Sequence, residues 1–182
     1  MNEYRYPEDT VVGLLGDSHG RADTTRRAVD VLVNEAGADV LIHLGDVGSD
    51  TVLDALSGVP AHVVFGNCDH DWRALSEYGS SLGLHIDHPC GRLLVGEKPL
   101  VFAHGDNSSH ESNAISSGAD YFCHGHTHLF RDQRLESTRI INPGALFRAS
   151  RYTVVRLEPC TGRLDVFPVD PVPARRDERP WP

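Results

Sequence analysis

Five short polar clusters in this sequence carry residue types that bind divalent cations, and each follows an apolar run. They are Asp17-Ser18-His19, Gly45-Asp46, Gly66-Asn67-Cys68-Asp69, His104-Gly105-Asp106 and His124-Gly125-His126-Thr127-His128. Carboxylate, amide oxygen and imidazole are all good ligands for such ions. Alternate residues of an extended segment point the same way, so Asp17 and His19 could share one metal, and His126 and His128 could face one pocket. The glycines let the backbone turn sharply and leave room for a substrate. Each cluster taken alone has a plainer reading. Asp17-Ser18-His19 could be a turn with a helix N-cap, Gly66-Asn67 is a common turn dipeptide, and His104 could be a satisfied buried histidine. Five together, each at the end of an apolar run, point to one site.

The elements that must position these clusters can be read from hydrophobic patterning. Runs at 10–15, 40–44 and 62–65 read as buried strands. Between them, 22–36 shows helical spacing with Gly37 as C-cap, and 51–56 reads as a short helix. This alternation predicts parallel βαβ units, in which ligands bind outside the carboxyl ends of the strands. The second half reads as short strands at 84–86, 92–95, 100–103, 121–123, 139–141, 152–157 and 164–167, with a helix at 111–116. Hairpins are expected to dominate there and to give a second, mixed sheet. Segments 70–83 and 106–119 read largely as loops that would set substrate choice. A single domain is expected over 1–168, followed by a flexible tail rich in proline and charge over 169–182.

Composition narrows the function classes. The chain has 182 residues, 40% of them hydrophobic, which suits one ordinary domain. No apolar run approaches the ~20 residues of a membrane span, and the charged start carries no signal-peptide pattern. A cytoplasmic protein is expected. Cys68, Cys90, Cys123 and Cys160 form no CxxC pair, which argues for reduced thiols rather than a zinc ribbon. The net charge of -9 argues against nucleic-acid binding through a basic surface. It leaves phosphate substrates open, because bound cations reverse the local charge. Lys98 is the only lysine, a bias that either salt adaptation or a GC-rich genome would produce.

The motifs GDSHG at 16–20, LGD at 44–46, GNCD at 66–69, AHGD at 103–106 and GHTH at 125–128, with INPGA at 141–145, closely resemble the calcineurin-like metallophosphoesterase superfamily. The small YfcE-type phosphodiesterases are the branch they resemble. The resemblance implies an α/β fold, a four-layer αββα sandwich of two mixed sheets. It implies two divalent metal ions, manganese by preference, with nickel, iron, cobalt or zinc as alternatives. One metal would take Asp17, His19 and His128. The other would take Asn67, His104 and His126, and Asp46 would bridge them.

The activity so implied is hydrolysis of a small phosphodiester. Two metals ~3.5–4 Å apart would hold a bridging hydroxide for in-line attack on phosphorus. A phosphomonoesterase or a nucleotide pyrophosphatase is the alternative within enzymes. A non-catalytic scaffold like the retromer subunit is the alternative outside them. Homo-oligomerisation is left open. Cys68 stands where many superfamily members have a histidine that protonates the leaving group, so no strong general acid is evident. His70 is the only other candidate acid, against a plain surface role. Asp69 is expected to orient a ligand histidine, His43 to be structural, and His124 to pack beneath the site. No role is assigned to His62, His85, His88 or His110.

Overall fold

The computed structural model describes residues 3–170; the expected tail lies outside the described residues from position 171 onward. The first sheet contains β2 (Val12–Leu15), β3 (Val40–Leu44), β4 (Ala61–Val64), β5 (His85–Ile86), β11 (Thr153–Glu158) and β12 (Arg163–Pro168). The second contains β1 (Glu3–Tyr6), β6 (Cys90–Val95), β7 (Lys98–Ala103), β8 (Tyr121–Cys123), β9 (Arg131–Leu135) and β10 (Thr138–Asn142). Their spatial orders are β12-β11-β2-β3-β4-β5 and β1-β6-β7-β8-β10-β9. β2, β3, β4 and β5 run parallel. The whole of β2, β3 and β4 is buried, as expected of strands covered on both faces.

Helices α1 (Ala22–Asp30), α2 (Asp50–Leu56) and α3 (Trp72–Ser81) cover the outside of the first sheet, and α4 (Ser109–Ser116) covers part of the second. Three apolar layers result. Leu32, Leu41, Leu53 and Phe65 fill the space between the first sheet and its helices. Leu14, Ile42, Leu93 and Phe102 fill the space between the sheets. Val101 and Phe122 lie under α4, in one cluster with its Ala114. This is the expected αββα sandwich.

Several elements differ from their expected form. Helix α1 continues not as α-helix but as a π-helical turn, Val31–Glu35, closed by the Ala36 N–H donating to the Val31 carbonyl at 2.8 Å. Segment 70–83 is mostly α3 rather than loop. Only Gly79 of that helix is fully buried, so its apolar stripe is weak in sequence. Strands β1 and β9 were not anticipated; both are edge strands with partly exposed, charged residues. Hairpins do not dominate the second sheet, because β7–β8, β8–β10 and β1–β6 pair in parallel. The start of the expected tail is also packed, since Val169 is buried and its N–H donates to the Tyr152 carbonyl.

His62 has a structural role. Its Nδ1 lies 2.7 Å from Asp87 Oδ2 and its Nε2 lies 2.8 Å from the Tyr6 hydroxyl. Tyr6 belongs to β1 and His62 to β4, so this buried network ties the two sheets together.

Candidate metal centre

All five clusters leave the carboxyl ends of strands. Asp17 and His19 follow β2, Asp46 follows β3, and Asn67 follows β4. His104 follows β7, and His126 and His128 follow β8. Three of these strands belong to the first sheet and two to the second, so the site sits at the carboxyl ends of inner strands of both sheets. Asp17, His19, Asp46, His126 and His128 all have positive φ, between 44° and 68°. That left-handed backbone costs a non-glycine residue free energy, and such strain concentrates where function requires it. The loops are stitched to one another by backbone bonds: the Asp17 N–H donates to the Gly45 carbonyl and the His19 N–H to the Asp46 carbonyl.

The side chains converge. Oxygen or nitrogen atoms of Asp17, His19, Asp46 and His128 all lie within 4.8 Å of one another. His19 Nε2 is 3.2 Å from His128 Nε2 and 3.4 Å from Asp46 Oδ2. His128 Nε2 is 3.4 Å from Asp17 Oδ1. On the other side of Asp46, its Oδ1 is 3.5 Å from His104 Nε2, which is 3.2 Å from Asn67 Oδ1. The His126 ring stands edge-on to His104 with centroids 5.1 Å apart. Asp46 thus faces two sets of candidate ligands, His19 with Asp17 and His128 on one side and His104 with Asn67 on the other, and His126 stands beside His104.

The donor set fits divalent cations by its chemistry. His104 Nδ1 donates to the Leu44 carbonyl at 2.8 Å. A neutral ring with that tautomer presents a lone pair at Nε2. This lone pair faces Asn67 Oδ1 and Asp46 Oδ1, both acceptors. Apart from the Cys68 N–H on Asp46 Oδ1, no donor lies between these acceptors, and such a gathering suits a cation. Burial pulls the His19 pKa down, against the opposing pull of Asp46 and Asp17. Its hydrogen bond to Asp17 pushes the His128 pKa up.

The support beneath the site comes largely from residues to which sequence gave no role, or a different one. Asp69 does not orient a ligand histidine. Its carboxylate accepts the N–H groups of Val47, Gly48 and Gly66 at 2.8–3.1 Å and so clamps two of the ligand loops together. Asp69→Ala would strand these N–H groups, and the expected loss is about 2–4 kcal/mol of folding stability. Urea unfolding checks it, with Asp69→Asn expected to lose less. The Asn142 amide of INPGA donates to the Gly125 carbonyl at 2.7 Å and to Thr127 Oγ1 at 3.1 Å, which pins the loop carrying His126 and His128.

His43 is fully buried, with Nε2 2.8 Å from Ser18 Oγ. Burial first, then the neighbouring His104, pushes its pKa down to about 3. It is a neutral prop under the first ligand loop. His124 is buried beneath the site, stacked against Phe122. His70 is exposed, and its ring makes no hydrogen bond or ion pair among the described residues. The Cys68 N–H donates to Asp46 Oδ1 at 2.9 Å. Desolvation, then the Asp46 carboxylate, pushes the Cys68 thiol up to about 11.

Comparison with known proteins gives the family and the fold. Residues 11–162 match the model of the calcineurin-like phosphoesterase superfamily domain. A Bacillus subtilis (strain 168) protein described as "Probable metallophosphoesterase YsnB" is 27% identical over 157 residues, which cover 80% of this chain and 83% of that one. A solved archaeal phosphodiesterase has a TM-score of 0.80 at 22% identity, over 88% of this chain and 100% of the other. The YfcE phosphoesterase of E. coli has a TM-score of 0.59 at 21% identity, with the same coverage. The fold is shared as well by Vps29 of Entamoeba histolytica in complex with zinc, at TM-score 0.52 and 14% identity over 88% of this chain and 99% of that one. By its matched length, its fold and its cluster of metal-binding side chains, this chain is a metal-dependent phosphoesterase and belongs to the calcineurin-like phosphoesterase superfamily.

Proposed function

We propose that the protein is a cytoplasmic enzyme that hydrolyses small phosphodiesters with two divalent cations, manganese for preference. Asp17, His19 and His128 would hold one ion, Asn67, His104 and His126 would hold the other, and Asp46 would offer a carboxylate oxygen to each. The observation that carries this reading is the Asp46 carboxylate, whose two oxygens face different ligand groups: Oδ2 towards His19 and Oδ1 towards His104. When bound, such a pair of cations supplies an activated water and neutralises charge on the phosphoryl oxygens.

The chain's own residues then have separate tasks. The Leu44 carbonyl fixes the tautomer of His104, and Asp17 accepts the His126 N–H and so sets the second ligand loop. The cluster puts a focus for anions inside an acidic protein. The fold likeness to Vps29 favours a scaffold as the second reading. The full set of seven candidate ligands, five of them in strained backbone, favours catalysis. Turnover of bis(p-nitrophenyl) phosphate during a manganese titration separates the two, and a metal-saturated protein without turnover would contradict the enzyme. The same assay with p-nitrophenyl phosphate tests the monoesterase alternative.

Cys68 sets the expected leaving-group dependence. A thiol with its pKa near 11 is protonated at neutral pH but is a weak acid. Aryl diesters, which leave as stabilised phenolates, are expected to turn over well. Alkyl diesters lack general acid help, worth about 10²–10⁴-fold, and are expected to turn over poorly. Cys68→His is expected to narrow the gap and Cys68→Ser to change little. Rates across leaving groups of rising pKa check this. A shallow dependence in the parent protein would mean that another acid is present, and His70→Ala would be the next variant.

A further inference from the structure

The rim of the metal centre beside His19 carries two arginines with no carboxylate partner among the described residues, Arg21 and Arg148. Most other described arginines are ion-paired. Both unpaired guanidiniums lie over the Phe147 ring, Arg21 at 4.7 Å and Arg148 at 5.1 Å from its centroid. That ring is 5.4 Å from the ring of the candidate ligand His19. Arg148 is also coupled to the cluster through its backbone, which hydrogen-bonds His128. Arg148 is itself a non-glycine residue at positive φ, 48°, as five of the candidate ligands are.

Stacking on an aromatic face restrains a guanidinium and leaves its edge N–H groups free to donate. The planar fork of those donors matches the oxygens of a phosphate. In a chain of net charge -9, two restrained and unpaired arginines next to a phosphoester site need an anion to answer them. The scissile phosphoryl group belongs to the metal cluster, so the anion they meet is a different one.

We infer that Arg21 and Arg148, braced on Phe147, form a subsite for a second phosphate on the substrate, so that the preferred substrate is a phosphodiester carrying a further phosphate group near the scissile one. This rests on the phosphodiesterase reading above. The two arginines bind and orient; they do not enter the bond-breaking step.

The test compares methyl p-nitrophenyl phosphate with 2-phosphoethyl p-nitrophenyl phosphate. The leaving group is the same, and one probe carries the extra phosphate. The parent protein is expected to prefer the phosphorylated probe by about tenfold or more in kcat/KM, mainly through KM. Arg21→Gln and Arg148→Gln should each lower that preference several-fold, the double variant should erase it, and Arg21→Lys should keep part of it. Calorimetry on the manganese-loaded protein gives a readout without turnover. Ethylene glycol bisphosphate should bind more tightly than methyl phosphate, and the difference should vanish in the double variant. Equal kcat/KM for the two probes in the parent, or a double variant that keeps the preference, would overturn the subsite. Failure to cleave either probe would instead overturn the phosphodiesterase reading, and the calorimetric comparison would then decide the subsite by itself.

Discussion

Asp46→Asn is expected to lower turnover of an aryl phosphodiester to below about one-thousandth of the parent rate. Loss of residues that merely support a metal ligand costs ~10–100-fold in metal affinity or activity, and Asp46 is placed to touch both ions rather than to support one. The substitution keeps shape and volume. The asparagine Oδ1 can still accept the Cys68 N–H that Asp46 accepts now at 2.9 Å, so the loop should keep its path. What changes is charge: the site loses a buried anion, and with Oδ1 kept on the Cys68 N–H an N–H₂ group turns toward His19. Affinity should fall at both metal positions, whereas His126→Ala or His128→Ala should mainly empty one. The check is turnover and metal titration on the purified variants beside their thermal melts. Near-parental turnover in Asp46→Asn would refute the bridging role.

Gly66→Ala is expected to be nearly as damaging, although it removes no functional group. A methyl there would overlap Asp46 Oδ1 and stand 2.6 Å from His104 Nε2. Neither neighbour can yield cheaply, since His104 is anchored to the Leu44 carbonyl and Asp46 is 3% exposed. The ligand groups themselves must move, and misplacement by about 1 Å at a reacting centre can cost ~10²-fold in rate. The expected result is a turnover loss of at least about 10²-fold with weakened metal binding at the Asn67–His104 position. Gly37→Ala is the comparison, because a methyl there meets nothing within 4 Å. Its strain lies only in its positive φ of 70°, so it should lose some stability and keep its metals. Equal losses of metal in the two variants would mean that close packing at Gly66 is not what matters.

Much of this architecture was legible in the sequence because its strands are unusually uniform. β3 is buried at every position, so an apolar run interrupted only by His43 marked both of its ends. The same property made the candidate ligands legible: a charged or imidazole side chain just after such a run has little structural reason to be there. Elements half open to solvent escaped the reading. Helix α3 packs only part of one face, β9 is an exposed edge, and β1 carries Glu3 and Arg5 outward. Parallel pairing in the second sheet was also hidden, since short strands close in sequence look like hairpins until the crossover through α4 is seen.

At the site, residue types were readable but their supports were not. Asp69 serves three backbone N–H groups, two of them some twenty residues away in the chain, and nothing local in the sequence encodes that. The bracket of Arg21 and Arg148 around Phe147 likewise joins segments more than a hundred residues apart, and it was not anticipated.

If the cluster is one binuclear centre shared through Asp46, the metal content of the protein reveals it. The protein is stripped with chelator, loaded with manganese, freed of excess metal and analysed for manganese per chain, with Asp46→Asn carried in parallel. Two equivalents per parent chain are expected, lost together in the variant. A parent stoichiometry that never exceeds one, at any manganese concentration that leaves the protein folded, would contradict the binuclear centre.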